Sequence, residues 1–128
     1  MGRLPLEGIR VIDLTHSAAG PFAASILGDL GAEVVKVESP EGDMTRSWGH
    51  VIKDGVSTYY LAMNRNKRVI RLDLKSDGDR SRFYELVKDA DVLIENYRPG
   101  VAERLGVDYD TVIRLNPRII YVSIKGFM

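Results

Sequence analysis

Short apolar runs alternate along this chain with stretches of helical spacing. Ile9-Arg10-Val11-Ile12-Asp13-Leu14 reads as a first strand that ends at Thr15. Gly20-Pro21 then opens a helix, because proline suits a first turn where its missing N–H is not needed. Phe22, Ile26, Leu27 and Leu30 recur along it at helical spacing, and Gly31 is a natural stop. Glu33 to Glu38 is a second strand, rich in β-branched residues. Ser39 to Gly55 is a longer polar loop, after which Ser57 is placed to cap a short helix holding Tyr59, Tyr60, Leu61 and Met63. Val69 to Leu74 predicts a third strand. Asp79 to Ala90 predicts an amphipathic helix with Phe83, Leu86, Val87 and Ala90 on one stripe. Asp91 to Glu95 is strand four, Arg104 sits on a short helix, and Tyr109 to Leu115 is helical until Asn116-Pro117 breaks it. Arg118 to Ile124 is strand five.

This alternation argues for right-handed crossovers and an α/β fold, a doubly wound parallel sheet of about five strands with flanking helices. No internal repeat, low-complexity tract or linker divides residues 1–128. The last apolar strand is followed only by Lys125-Gly126-Phe127-Met128, with no helix to cover it. Parallel sheets are covered on both faces. The expectation is an edge strand, or an incomplete domain forming the front part of a longer polypeptide.

Composition narrows the function classes. With 128 residues, 45% hydrophobic and 28% charged, the chain fits one ordinary domain. Eighteen basic and 18 acidic residues balance to a formal charge of zero, so no global field favours nucleic acid or anionic lipid. No run approaches transmembrane length, and the N-terminal stretch lacks a signal peptide's apolar core. The absence of cysteine excludes disulfides, thiolate metal sites and a cysteine nucleophile. With only two histidines, His16 and His50, no metal site is expected, and the cytoplasm is the expected compartment.

In open parallel sheets, ligands bind outside the carboxyl ends of the strands. Those ends carry THSAAGP, ESPEGDMTR, DLKSDGD, ENYRPG and KGFM. Small residues in THSAAGPF let a ligand approach free N–H groups at a helix start, but they equally suit a tight strand-to-helix turn. His16 alone reads as a turn or surface histidine. Glu38 stands where dinucleotide-binding folds place a ribose-binding acid, yet SAAGP is not G-x-G-x-x-G, which argues against nicotinamide or flavin. Asp13, Asp73 and Lys125 sketch a phosphoacceptor receiver domain, but the paired acids expected after strand one are missing.

Arg65, Lys67, Arg68, Arg71 and Lys75 concentrate charge around strand three. They are either a solvated edge or a phosphate-recognition surface, with Lys75 best placed at a strand end. Ser76-Asp77 beside it fits a helix cap equally well. Arg46 and Trp48 either cover a bound base or acyl chain or anchor their own loop.

Several segments together resemble the N-terminal part of the family III coenzyme A transferases. That group includes formyl-CoA and carnitine-CoA transferases and the related α-methylacyl-CoA racemases. The matching stretches are PLEGIRVIDLT, AGPF, LGDLGAEVVKVE, GDMTR, NRNKR with LDLK, ADVLIENYRPG, ERLG and LNPRIIYVSIKGF, in the family's order across nearly the whole chain. The resemblance implies a Rossmann-like domain, residues 1–128, that binds coenzyme A along the strand ends. It implies cofactor contacts at Ala18, Ala19, Leu72, Asp73, Leu74, Lys75, Asn96, Tyr97 and Arg104. Ser39 departs from members that carry a basic residue just after the strand-two acid.

The resemblance also implies acyl-CoA and carboxylate substrates, no metal, and a homodimer for the whole enzyme. Family transferases attack the thioester with an aspartate carboxylate, giving an anhydride and then an enzyme–coenzyme A thioester. The matching aspartate is expected beyond Gly126-Phe127, so no catalytic residue is assigned here and the chain alone is expected to be inactive. A racemase-type fragment and a non-catalytic coenzyme A-binding or receiver-like module are the alternative readings.

Overall fold

The computed structural model describes residues 3–126; Phe127 and Met128, the end of KGFM, lie outside the described residues. In chain order the elements are β1 (Arg10–Asp13), α1 (Ala19–Asp29), β2 (Glu33–Glu38), β3 (Val51–Ile52), β4 (Val56–Ser57) and α2 (Thr58–Met63). They continue with β5 (Lys67–Arg71), α3 (Asp77–Lys88), β6 (Val92–Glu95), α4 (Val101–Leu105), α5 (Tyr109–Leu115) and β7 (Ile120–Ser123).

Five strands form one parallel sheet in the order β5-β2-β1-β6-β7. The chain winds outward from β1 through β2 to β5, then returns to pair β6 on the other side of β1. The fold is therefore α/β and Rossmann-like, and the winding direction reverses between β1 and β6. At such a reversal the flanking loops part and leave a crevice at the carboxyl edge. β7 is an edge strand, and its Ile120 is 62% exposed.

Two-residue alternation sends neighbouring side chains to opposite faces. Val11, Val34 and Ile94 pack with Ala24 of α1 on one face. Ile12, Val35, Val37 and Leu93 pack with Phe83 and Val87 of α3 and Val112 of α5 on the other. α1 buries its small residues, Gly20, Pro21, Ala24 and Ser25. Phe22, Ile26 and Leu30 of its apolar stripe stay 47%, 41% and 40% exposed, while Leu27 packs against the core.

Three elements depart from the sequence expectation. The third sheet strand runs Lys67–Arg71 rather than Val69–Leu74. The Lys67 side chain is drawn inward by Asp13, Asn64 and the Pro21 carbonyl, which brings its backbone into register with Val34. Leu72 and Leu74 are buried all the same, from a turn in which Asp79 accepts the Asp73 N–H. α3 starts at Asp77 because Ser76 caps it, and it ends before Ala90, which is buried beyond the helix. α1 starts at Ala19, one residue before Gly20. The Ser39–Gly55 loop is itself structured, with a 3₁₀ turn at Met44–Ser47 and the small antiparallel pair β3–β4.

Candidate functional site

Two of the cavities at the carboxyl edge of the sheet share a wall. The first, about 290 Å³, lies between the ends of β2, β5 and β6 and is lined by Val37, Pro40, Leu72, Leu74, Tyr97 and Leu105, with Glu38, Ser39, Glu41, Asp73 and Lys75 as its polar residues. The second, about 220 Å³, reaches the turn after β1 through Thr15, His16, Asp43 and Met44, and shares Val37, Glu38, Ser39 and Tyr97 with the first. Together they form a groove across the switch point.

Its floor is apolar because the last residues of β2 and the turn after β5 point their aliphatic side chains there. Val37, Leu72 and Leu74 are each less than 10% exposed and belong to the α3-side core. Tyr97 stands at the junction of the two cavities, its ring 6.2 Å from that of His16. Burial, with Glu95 and Asp13 nearby, pushes its phenol up to about 12, so the hydroxyl remains a proton donor at neutral pH. Burial also lowers the His16 imidazole below its ordinary value, outweighing the attraction of Asp43.

Asn96 joins the two loops that flank the reversal. Its side-chain N–H donates to the His16 carbonyl at 2.8 Å, and its side-chain oxygen accepts the His16 N–H at 3.2 Å. The amide thus fixes the turn after β1. That turn includes Ser17 at φ 72° and leads to Ala18 and Ala19, both exposed at the start of α1.

Of the residues singled out from sequence, Leu72, Asp73, Leu74, Lys75 and Tyr97 come together around the first cavity. Asn96 lies beside them with its amide engaged by His16. Ala18 and Ala19 line neither cavity, and Arg104 stands exposed on α4, next to the cavity residue Leu105. Most of the basic run around β5 is occupied elsewhere. Arg65 pairs with Asp29 at 2.7 Å, Arg68 with Glu33 at 3.4 Å, and Lys67 with Asp13 at 2.8 Å. Lys75 has no ion pair among the described residues and is free to meet a ligand.

Behind the groove lies a buried polar network. The Lys36 ammonium donates to Asp43 at 2.8 Å, to the Asn64 side-chain oxygen at 2.9 Å and to the Thr15 carbonyl at 3.1 Å. The same Asn64 oxygen accepts from Lys67 at 2.8 Å, which links Lys36 to the Asp13–Lys67 pair. Glu38 accepts from Arg46 at 2.6 Å, from Tyr60 at 2.8 Å and from the Asp43 N–H at 2.6 Å. Burial works against the Glu38 carboxylate, but these donors prevail and hold it at about 2.

A ribose-binding role for Glu38 is closed by these contacts, and Arg46 anchors its loop. Lys125 pairs with Glu95 at 3.1 Å, not with Asp13 or Asp73, so the receiver constellation does not assemble. The signal for this network in the sequence is Lys36 itself, a charge set inside the buried run VVKVE. Pro40, Glu41 and Leu105 of the cavity wall carry no comparable signal.

Fold and groove define a Rossmann-like α/β domain with an open groove along its strand ends. The model of CoA-transferase family III matches residues 6–128, and the chain belongs to that family. It is 51% identical over 124 residues to an acetyl-CoA:oxalate CoA-transferase of Acetobacter aceti, covering 96% of this chain and 32% of that protein. A formyl-CoA:oxalate CoA-transferase of Streptomyces coelicolor is 48% identical over 122 residues, covering 95% of this chain and 30% of that protein. The fold is similar to that of a CAIB/BAIF family protein from Brucella suis, with a TM-score of 0.93 at 43% identity over 98% of this chain and 34% of that one. The chain spans about a third of the length of the curated relatives it matches.

Proposed function

We propose that residues 1–128 are the coenzyme A-binding front part of an enzyme that moves coenzyme A between an acyl-CoA thioester and a carboxylic acid. The observation that carries this reading is the shared cavity of Leu72, Asp73, Leu74, Lys75 and Tyr97 at the switch point of a family III chain. The apolar walls and the Tyr97 ring suit a nucleobase, and Lys75 supplies an unpaired cation for a phosphate. Ala18, Ala19 and Arg104 extend the contact surface along the strand ends, and Asn96 shapes it through His16.

In this scheme the nucleophile is an aspartate outside the present sequence. Its carboxylate adds to the thioester carbonyl and expels the coenzyme A thiolate, leaving a mixed anhydride. The thiolate then attacks the aspartyl carbonyl, releasing the first carboxylic acid, and the acceptor carboxylate reverses the sequence. The residues of this chain bind and orient; none of them enters the covalent chemistry. The whole enzyme is taken to be a cytoplasmic homodimer that needs no metal.

Calorimetric titration tests the binding role. Coenzyme A is expected to bind more tightly than pantetheine, which lacks the nucleotide and its phosphates; equal affinities would overturn the assignment. Incubated with an acyl-CoA and a carboxylate, the 128-residue chain is expected to give no transfer, and turnover would place the nucleophile within it.

A further inference from the structure

Glu41 sits at the rim of the first cavity, on the turn that follows β2. Two other carboxylates line the cavity. Glu38 is buried and held by Arg46 and Tyr60, and Asp73 accepts the backbone N–H of Lys75 at 3.1 Å. Glu41 and Lys75 remain as the two exposed, oppositely charged side chains lining one cavity, neither with an ion pair among the described residues. The turn is held in place by Arg71, which donates to the Pro40 carbonyl at 3.2 Å, and by the Asp43 N–H bond to Glu38. Hydrogen bonds from its own N–H and from Ser39 lower the Glu41 carboxyl, with Lys75 adding to the effect, so it is ionised at neutral pH.

We propose that Glu41 is a specificity-determining residue that opposes a ligand phosphate at Lys75 and weakens the grip of this groove on phosphorylated ligands. The inference rests on the coenzyme A reading of the same cavity. A phosphate drawn to Lys75 must approach Glu41 as well, and two anions on one rim repel while competing for a single ammonium. Both groups are solvated, so the effect is modest and fades with salt. It acts on affinity and leaves the fold alone, since Glu41 has an exposed side chain.

The test compares the unsubstituted protein with Glu41→Gln by titrating coenzyme A, 3′-dephospho-coenzyme A and pantetheine at low salt. Glu41→Gln is expected to tighten coenzyme A by about two- to fivefold and leave pantetheine unchanged. Tightening of coenzyme A alone identifies the 3′-phosphate as the group opposite Lys75. Tightening of both nucleotides identifies the diphosphate. In a Lys75→Gln background the gain is expected to shrink toward onefold. No gain for either nucleotide, an equal gain for pantetheine, or a full gain without Lys75 would each overturn the inference while the coenzyme A reading stands. If the unsubstituted protein binds neither nucleotide better than pantetheine, that reading itself fails and takes this inference with it.

Discussion

The Lys36 ammonium and the Asp43 carboxylate meet at 2.8 Å with both side chains closed to solvent. Lys36 comes from the middle of β2 and Asp43 from the loop that shapes the groove, so the pair ties the rim of the site to the centre of the sheet. Its other acceptors are the Thr15 carbonyl in the turn after β1 and Asn64 at the end of α2. One ammonium therefore ties three segments together, and Asp43 in turn caps the Met44–Ser47 turn through Thr45.

Removing either partner leaves an uncompensated buried charge. Asp43→Ala or Lys36→Ala is expected to destabilise the fold by about 3–5 kcal/mol. The double replacement Lys36→Met/Asp43→Leu is expected to cost less than either single change, because no charge is stranded. Denaturant unfolding of the four proteins checks both statements, and additive losses would show that the two charges are not coupled.

Acid should weaken the same corner through Glu38. Its carboxyl is held at about 2 against an ordinary 4.5. A depressed carboxyl contributes stability that is fully present above the unfolded value and is lost as pH falls through the folded one. Stability is thus expected to decline between about pH 4.5 and pH 2, with Glu38 contributing on the order of 3 kcal/mol. Glu38→Gln should flatten that part of the profile. Tyr60→Phe, which removes one donor to the carboxylate, should move the decline to higher pH.

The sheet is legible in the sequence because its central strands are buried on both faces and appear as runs such as VLIE and EVVKVE. The strand-end groove follows from parallel topology, and Leu72 to Lys75 and Tyr97 come to it through the family resemblance. Other features depend on partners distant in the chain. The basic run around β5 reads as one patch, yet Asp29, Glu33 and Asp13 disperse it, and only the tertiary structure places those acids beside it. Glu41 and Leu105 become cavity residues through the way two turns face each other across the sheet edge. α1 shows the limit of periodicity, since Phe22 and Ile26 face outward while its small residues, with Leu27, pack inward.

Asn96 makes a local claim that can be measured directly. Its two hydrogen bonds hold the His16 backbone from the other side of the switch point. Asn96→Ala is expected to destabilise the chain by about 1–2 kcal/mol. It should speed hydrogen exchange at the His16 amide while leaving β6 protected. Coenzyme A affinity is expected to fall with it, because the turn leading to Ala18 and Ala19 loses its anchor. Unchanged exchange at His16 would remove Asn96 from that role.

Two glycines offer the same substitution with opposite outcomes. A Cβ on Gly20 would collide with the Thr15 side chain, and Thr15 is itself fixed by hydrogen bonds from its N–H and hydroxyl to Asp13. Neither side can yield, because Asp13 is also the buried partner of Lys67. Gly20→Ala is therefore expected to cost about 1–3 kcal/mol through overpacking. At Gly78, in the first turn of α3, an added Cβ would meet only the Ser76 hydroxyl at 3.9 Å. There the alanine restricts the unfolded chain without a clash, and a gain of about 0.4–1 kcal/mol is expected. Thermal unfolding of both variants against the unsubstituted chain decides the matter. Equal effects would mean that the close packing of Gly20 on Thr15 does not constrain the turn that opens the site.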